Sequence, residues 1–201
     1  YDFAIIEDDI LGDTVYHYPR PRSLKSYDSQ QRVLFCSSFS KTIAPGLRLG
    51  WVAPGRYSTM LTHLKFVSSL GSASLPQLAV ADFIEQGYYD KHLRLSKQHY
   101  QARRDIMLHW VQRYLPEQTK VSFPQGGYFL WLALPEGIDS FQLNQHLRPY
   151  HIGIAAGSLF SASGKYRNCL RLSYANPPTE AVEQAIKILG QQVQLLLQQS
   201  D

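Results

Sequence analysis

The residues best placed to do chemistry lie in VLFCSSFSKTIAPGLRLGWVAP, residues 33–54, where an apolar run ends in Ser37, Ser38, Phe39, Ser40 and Lys41 and an arginine, Arg48, follows seven residues later. A lysine whose pKa is lowered is a Schiff-base nucleophile toward a carbonyl; the alternative for Lys41 is a solvated turn residue. Hydroxyls and backbone N–H groups at a strand's end suit phosphate oxygens, and a guanidinium binds phosphate bidentately where a lysine cannot. A P-loop is excluded, because neither glycine of GxxxxGK[ST] is present before Lys41-Thr42. Upstream, the apolar run Phe3–Ile6 ends in Glu7, Asp8 and Asp9. Acids at the carboxyl end of a parallel strand sit where open α/β sheets place their ligands, with a solvated loop as the alternative.

These groups need strands to hold them. Phe3–Ile6 predicts a strand buried on both faces of a parallel sheet, Val33–Cys36 a second strand, and Leu47–Val52 a third that carries Arg48. Between the first two, residues 10–32 read as a turn-rich surface loop. Because the chain enters its first strand at Tyr1 with no initiator methionine or preceding helix, it reads as a fragment of a longer protein.

The second half alternates helices with short strands. Met60, Leu61, Leu64, Phe66 and Val67 supply the apolar face of one helix, and Leu75–Gln86 predicts another, closed by Gly87. A long helix follows from Tyr88 to about Leu115, with a basic stripe (Lys91, Arg94, Lys97, Arg103, Arg104, Arg113) that reads as a solvated face, DNA contact being the alternative. A boundary within that helix divides residues 1–95 from 96–201. Beyond it, Val121–Phe123 and Tyr128–Leu134 flank a glycine turn, Phe141–Pro149 is a short helix, and Leu170–Tyr174 is a strand bearing Arg171. A last helix is capped by Asn176 with Pro177 in its first turn, and Val182, Ile186, Leu189, Val193 and Leu196 form its core face.

Composition narrows the function classes. The 201 residues are 44% hydrophobic and 18% charged, a globular balance, with a net charge of +4 that is weak support for nucleic-acid contact. No run approaches the roughly 18 apolar residues of a membrane span. Cys36 and Cys169 read as buried free thiols in a reducing cytosol. His17, His63, His92, His99, His109, His146 and His151 lack the paired spacing that a zinc site requires, and no Ser-His-Asp set can be placed.

EDD, PRPRSLK, SSFSKT with GLRLGW, PQGGYFLWL and CLRLSYANP occur in an order and spacing that resemble the fold-type-I aminotransferases that bind pyridoxal phosphate. The likeness is strongest to the aminotransferase-like domain of MocR-type regulators of the GntR family. The resemblance implies an α/β fold, the C-terminal part of a cofactor-binding large domain followed by a smaller α+β domain. It makes Lys41 the aldimine lysine, Asp8 the carboxylate facing the pyridine nitrogen, Ser38, Ser40 and Arg48 the phosphate ligands, and Arg171 the fork that takes an amino acid's α-carboxylate. The family's tyrosine two or three residues after Asp8 is replaced here by Ile10 and Leu11, so Tyr16 or Tyr18 is the available substitute. The family's glycine loop, stacking aromatic and asparagine precede the Asp8 strand, so this stretch is expected to retain the cofactor weakly or not at all.

Three functions follow: the effector-sensing part of a transcriptional regulator, with an upstream DNA-binding winged helix and homodimeric assembly; a working transaminase; or an interaction module without cofactor.

Overall fold

A computed structural model describes residues 2–17 and 19–199. The chain divides into two compact units, Tyr1–Lys97 and Gln98–Asp201, within which the strands form separate sheets.

In the first unit β1 (Ile5–Asp8) pairs in parallel with β2 (Val33–Ser38), and β2 pairs antiparallel with β3 (Gly50–Ala53), giving the order β1-β2-β3. Two helices follow, α1 (Ser58–Ser69) and α2 (Ser74–Glu85), and then α3 (Tyr88–Tyr114), which continues into the second unit. Gly87, at φ +73°, takes the left-handed conformation that ends α2, and its N–H donates to the Ile84 carbonyl at 2.9 Å.

Three expectations are corrected here. β1 is an edge strand with Ile5 and Ile6 exposed, because the described residues leave its outer side largely uncovered; of the strand residues described in this unit, only Val33 and Leu34, on the central strand β2, are buried as a strand core would be. Met60, Leu64, Phe66 and Val67 of α1 are likewise exposed. Arg48 is not in a strand: Pro45–Leu47 form a 3-10 turn closed by the Arg48 N–H on the Pro45 carbonyl, and Arg48 redirects the chain at φ +49°. Residues 10–32 also contain two short 3-10 turns, Gly12–Thr14 and Leu24–Tyr27.

The second unit is built on a four-stranded antiparallel sheet in the order β4-β5-β7-β6, from β4 (Lys120–Val121), β5 (Phe129–Ala133), β6 (Ala155–Ala156) and β7 (Cys169–Ser173). Alternation turns Leu130, Leu132, Leu170 and Leu172 to one face, where they join residues of α3, of α4 (Ser140–Leu147) and of α5 (Glu180–Gln198) in one core. The expected α5 stripe at Ile186, Leu189, Val193 and Leu196 is buried there. At Gly190 the helix passes so close to α3 that an added Cβ would lie 2.0 Å from the Tyr114 carbonyl oxygen.

Two further expectations change. The cap of α5 is Thr179, whose hydroxyl accepts from the Val182 N–H, because Pro177 and Pro178 keep the chain from turning helical at Asn176. Arg104 leaves the basic stripe: it is buried, its guanidinium 4.3 Å from the Phe123 ring and donating to the Pro124 carbonyl at 2.8 Å.

Candidate functional site

The carboxyl ends of β1 and β2 bring most of the candidate groups together. Parallel register sets Asp8 beside Cys36, the Asp9 N–H donates to the Cys36 carbonyl at 2.9 Å, and the Ser37 hydroxyl donates to the Asp9 carbonyl at 3.2 Å. Burial, and then the Asp8 charge, push the Cys36 thiol up from its ordinary pKa, which keeps it neutral at neutral pH.

Past Ser38 the chain reverses. The Phe39 N–H donates to the Leu49 carbonyl at 3.0 Å, and the Ile43 and Ala44 N–H groups both return to the Phe39 carbonyl. The Ser38 hydroxyl donates to the Leu49 carbonyl at 3.2 Å and accepts from the Ser40 N–H at 3.1 Å. Lys41 stands exposed on this turn. Its ammonium, the Ser40 hydroxyl, the Arg48 guanidinium and the Asp8 carboxylate make no hydrogen bond or ion pair among the described residues.

The three acids after the first strand divide by role. Glu7 accepts from the Leu24 and Lys25 N–H groups at 2.7 and 2.9 Å, capping the following 3-10 turn. Asp9 pairs with Arg20, and Arg20 pairs also with Asp13 at 2.6 Å. Asp8 is thus the acid of the three whose carboxylate makes no hydrogen bond or ion pair among the described residues. Tyr89 of α3, which the sequence reading passed over, and His92, which it weighed only as a zinc ligand, also belong to this region. The Tyr89 phenol donates to Asp13 at 3.0 Å, and a His92 ring nitrogen lies 2.7 Å from the Thr42 carbonyl oxygen. Their one sequence signal is an i, i+3 aromatic pair opening a helix. Of the candidate substitutes for the missing tyrosine, Tyr18 lies outside the described residues and Tyr16 is half-buried in the turn after Thr14.

Arg171 belongs to the second unit. β7 places it opposite Trp131 of β5 and Ala155 of β6, on the sheet face away from the leucine core. Its guanidinium lies 4.3 Å from the Phe129 ring and 4.8 Å from the Phe160 ring, while Trp131 packs edge-on to Phe160 and Tyr166. Cation–π contact with the two rings orients the fork, and among the described residues its N–H groups have no acceptor. A cavity of about 320 Å³ opens beside it, lined by Ile152, Ile154, Asn176, Val182 and Ile186 among others. His151, at φ +56°, is an exposed turn residue.

Residues 1–189 match the family described as aminotransferase class I and II. The chain belongs to this family. Within it, the chain is 46% identical over 193 residues to the uncharacterized HTH-type transcriptional regulator YjiR of Escherichia coli, covering 96% of this chain and 41% of that protein. It is 32% identical over 194 residues to aromatic-amino-acid aminotransferase 1 of Thermococcus litoralis, covering 96% of this chain and 46% of the other. Among solved structures, the α-aminoadipate aminotransferase LysN of Thermus thermophilus, complexed with N-(5'-phosphopyridoxyl)-L-leucine, superposes with a TM-score of 0.90 at 27% identity, covering 98% of this chain and 51% of LysN. The chain therefore spans about half the length of the relatives it matches, or somewhat less.

Pyridoxal phosphate is the cofactor of this aminotransferase family. The donor set at the ends of β1 and β2 fits its chemistry: an unpaired carboxylate for a ring nitrogen, a primary amine for an aldehyde, and hydroxyl, amide and guanidinium donors for a phosphate. Ser38 fits least readily, since its proton is already directed to Leu49.

Proposed function

We propose that this chain is the cofactor- and effector-binding part of a GntR/MocR-type transcriptional regulator, in which Lys41 holds pyridoxal phosphate covalently and an upstream winged helix contacts DNA. The observation that carries this reading is the 46% identity to an HTH-type regulator along 96% of the chain. Three unpaired chemical groups, Asp8, Lys41 and Arg48, at or just past the ends of two adjacent strands support it.

Each residue has a task the geometry allows. Asp8 keeps a proton on the ring nitrogen; Ser40 and Arg48 donate to the phosphate, joined by Ser38 after its hydroxyl rotates away from Leu49. When bound, the cofactor supplies an electron sink for charge developing at an amino acid's α-carbon. Arg171, oriented by Phe129 and Phe160, takes the α-carboxylate of an amino-acid effector. The apolar faces that α1 and α2 leave exposed support homodimeric assembly, and a DNA-contacting regulator would work in the cytoplasm. No helix of the described residues is long and apolar enough to cross a membrane.

A second reading, transamination between an amino acid and a 2-oxo acid with Lys41 as proton carrier, draws support from the 32% identity to an aromatic aminotransferase. One experiment tests both. Full-length wild type and Lys41→Ala are loaded with pyridoxal phosphate, dialysed and scanned for visible absorbance, and the wild type is then mixed with a panel of amino acids. A cofactor band that is retained by wild type and lost in the variant is expected; identical spectra would refute the role of Lys41. Formation of pyridoxamine phosphate would favour the enzyme, and its absence alongside effector-dependent DNA binding the regulator. The 201-residue stretch alone is expected to retain the cofactor weakly.

A further inference from the structure

We propose that the first two turns of α3 are a positioning element for Lys41, acting through Tyr89 and His92; the inference rests on the reading of Lys41 as the cofactor lysine. Lys41 is exposed and its side chain has no partner among the described residues. The direction of its amine is therefore set by the peptide units on either side, and the elements that fix those units decide where the amine can reach.

Both flanks are held from α3. On the carboxyl side, His92 Nε2 lies 2.7 Å from the Thr42 carbonyl oxygen. A carbonyl only accepts, so Nε2 carries the proton and donates. The ring packs edge-on to Phe83 with centroids 6.3 Å apart, and Ser96 Oγ lies 3.4 Å from the same nitrogen, so the imidazole is itself oriented. On the amino side, the Tyr89 ring meets Phe39 edge-on at 5.9 Å. Phe39 and Thr42 bracket the Ser40-Lys41 pair, and Thr42 is buried.

Tyr89 does a second thing from the same position. Its phenol donates to Asp13, Asp13 pairs with Arg20, and Arg20 pairs with Asp9, the residue after Asp8. Three residues apart, Tyr89 and His92 share one helix face. That face ties together the loop leaving β1 after Asp8 and the loop leaving β2 through Lys41. Backbone hydrogen bonds within the 39–44 turn would hold its shape without α3; at the strand ends Asp9 and Cys36, and Ser37 and Asp9, already join the two loops, and Tyr89 and His92 fix the part of the turn that lies beyond them.

The test uses full-length protein and two readouts. In the cofactor-free state, amide hydrogen exchange is followed over residues 40–44. Separately, the rate at which pyridoxal phosphate is captured on Lys41 is measured, with borohydride reducing the carbon–nitrogen double bond formed by loss of water and peptide mass spectrometry locating the product. His92→Leu is expected to speed exchange and slow capture about tenfold each, the factor associated with one net hydrogen bond. His92→Gln, whose side-chain amide can donate to Thr42, is expected to restore most of both while melting at the same temperature as His92→Leu. Tyr89→Phe, which keeps the ring and loses the donor, is expected to loosen residues 9–20 and carries the test should leucine at 92 cost the fold. Wild-type exchange and capture in His92→Leu, or unchanged exchange over 9–20 in Tyr89→Phe, would overturn the proposal. Failure of wild type itself to be captured at Lys41 would instead overturn the function proposed above.

Discussion

The two units of the chain are held together by different forces. In the second, an apolar core runs from Met107 to Leu196, with Leu130, Leu132, Leu143, Leu147 and Leu170 wholly buried. In the first, the buried hydrophobic residues among those described are Val33, Leu34 and Val80, while Ile5, Ile6, Trp51, Leu64, Phe66, Leu75 and Leu78 face outward. Its loops are fastened by polar contacts instead: Arg56 to Asp2, Lys25 to Asp28, Arg20 to Asp9 and Asp13, and Glu7 to two backbone N–H groups. The unit carrying Asp8 and Lys41 is thus the less self-sufficient one. Its candidate chemistry is displayed on a scaffold whose apolar surface asks for cover.

The largest effects should separate the units by core truncation. Leu132→Ala or Leu143→Ala removes fully buried methyl groups and is expected to destabilise the second unit by about 2–5 kcal/mol in urea unfolding. Gly190→Val should do comparable damage by a different route, driving α5 off α3 at the Tyr114 carbonyl. Leu64→Ala in α1, at an exposed position, is expected to stay within about 0.5 kcal/mol in the 201-residue chain. A loss at Leu64 as large as at Leu143 would erase the contrast.

The same contrast governs what the sequence disclosed. The α5 stripe, the Gly87 stop of α2 and the Leu170–Tyr174 strand were legible, because each is a local pattern or a backbone requirement satisfied within its own unit. The same reasoning misread the first unit. Phe3–Ile6 and the α1 face have the composition of buried elements, and periodicity reports what a segment would bury rather than what covers it. Arg48 was misplaced by a turn that runs on past Pro45-Gly46, and Arg104 by an aromatic partner, Phe123, far along the chain. Asp8, Lys41 and Arg171 were assigned their roles through motif resemblance; Tyr89 and His92 carry no motif, and their link to residues 9–42 exists only once the chain is folded.

Arg171→Lys sharpens the comparison at the ligand. A lysine keeps the charge but loses the planar fork and its contact with Phe129 and Phe160. Affinity of the loaded full-length protein for an amino-acid effector should fall roughly tenfold to a hundredfold, as when one charged hydrogen bond is lost. The melting temperature of the second unit should barely move, since Arg171 lies off the leucine core. Unchanged effector affinity in calorimetric titration would remove Arg171 from the binding site.

The smallest effects concern pH, and the two largest shifts fall in the first unit. The Asp28 carboxylate accepts from the Val33 and Arg32 N–H groups at 2.7 and 3.0 Å and faces Lys25 at 3.4 Å. The Val33 amide chiefly, with the Arg32 amide and Lys25 and against burial, lowers its pKa from 3.8 to about 2. A carboxyl depressed in the folded state stabilises it above the unfolded pKa and loses that contribution as pH falls through the folded one, here between about 4 and 2. Tyr89 is the alkaline counterpart. Burial, opposed by Thr42 and reinforced by the Asp13 charge, pushes its phenol from 10 up to about 12. A raised pKa stabilises the folded state below pH 10 and is lost as pH climbs toward 12, when the phenolate would face Asp13. Protection of the Val33 amide, taken relative to intrinsic exchange at each pH, should therefore fall in acid and lose that pH dependence in Asp28→Asn, and protection over residues 9–20 should fall in alkali and lose that dependence in Tyr89→Phe. Acid or alkaline loosening that strikes the second unit first would show that polar fastening is not what sets the first unit apart.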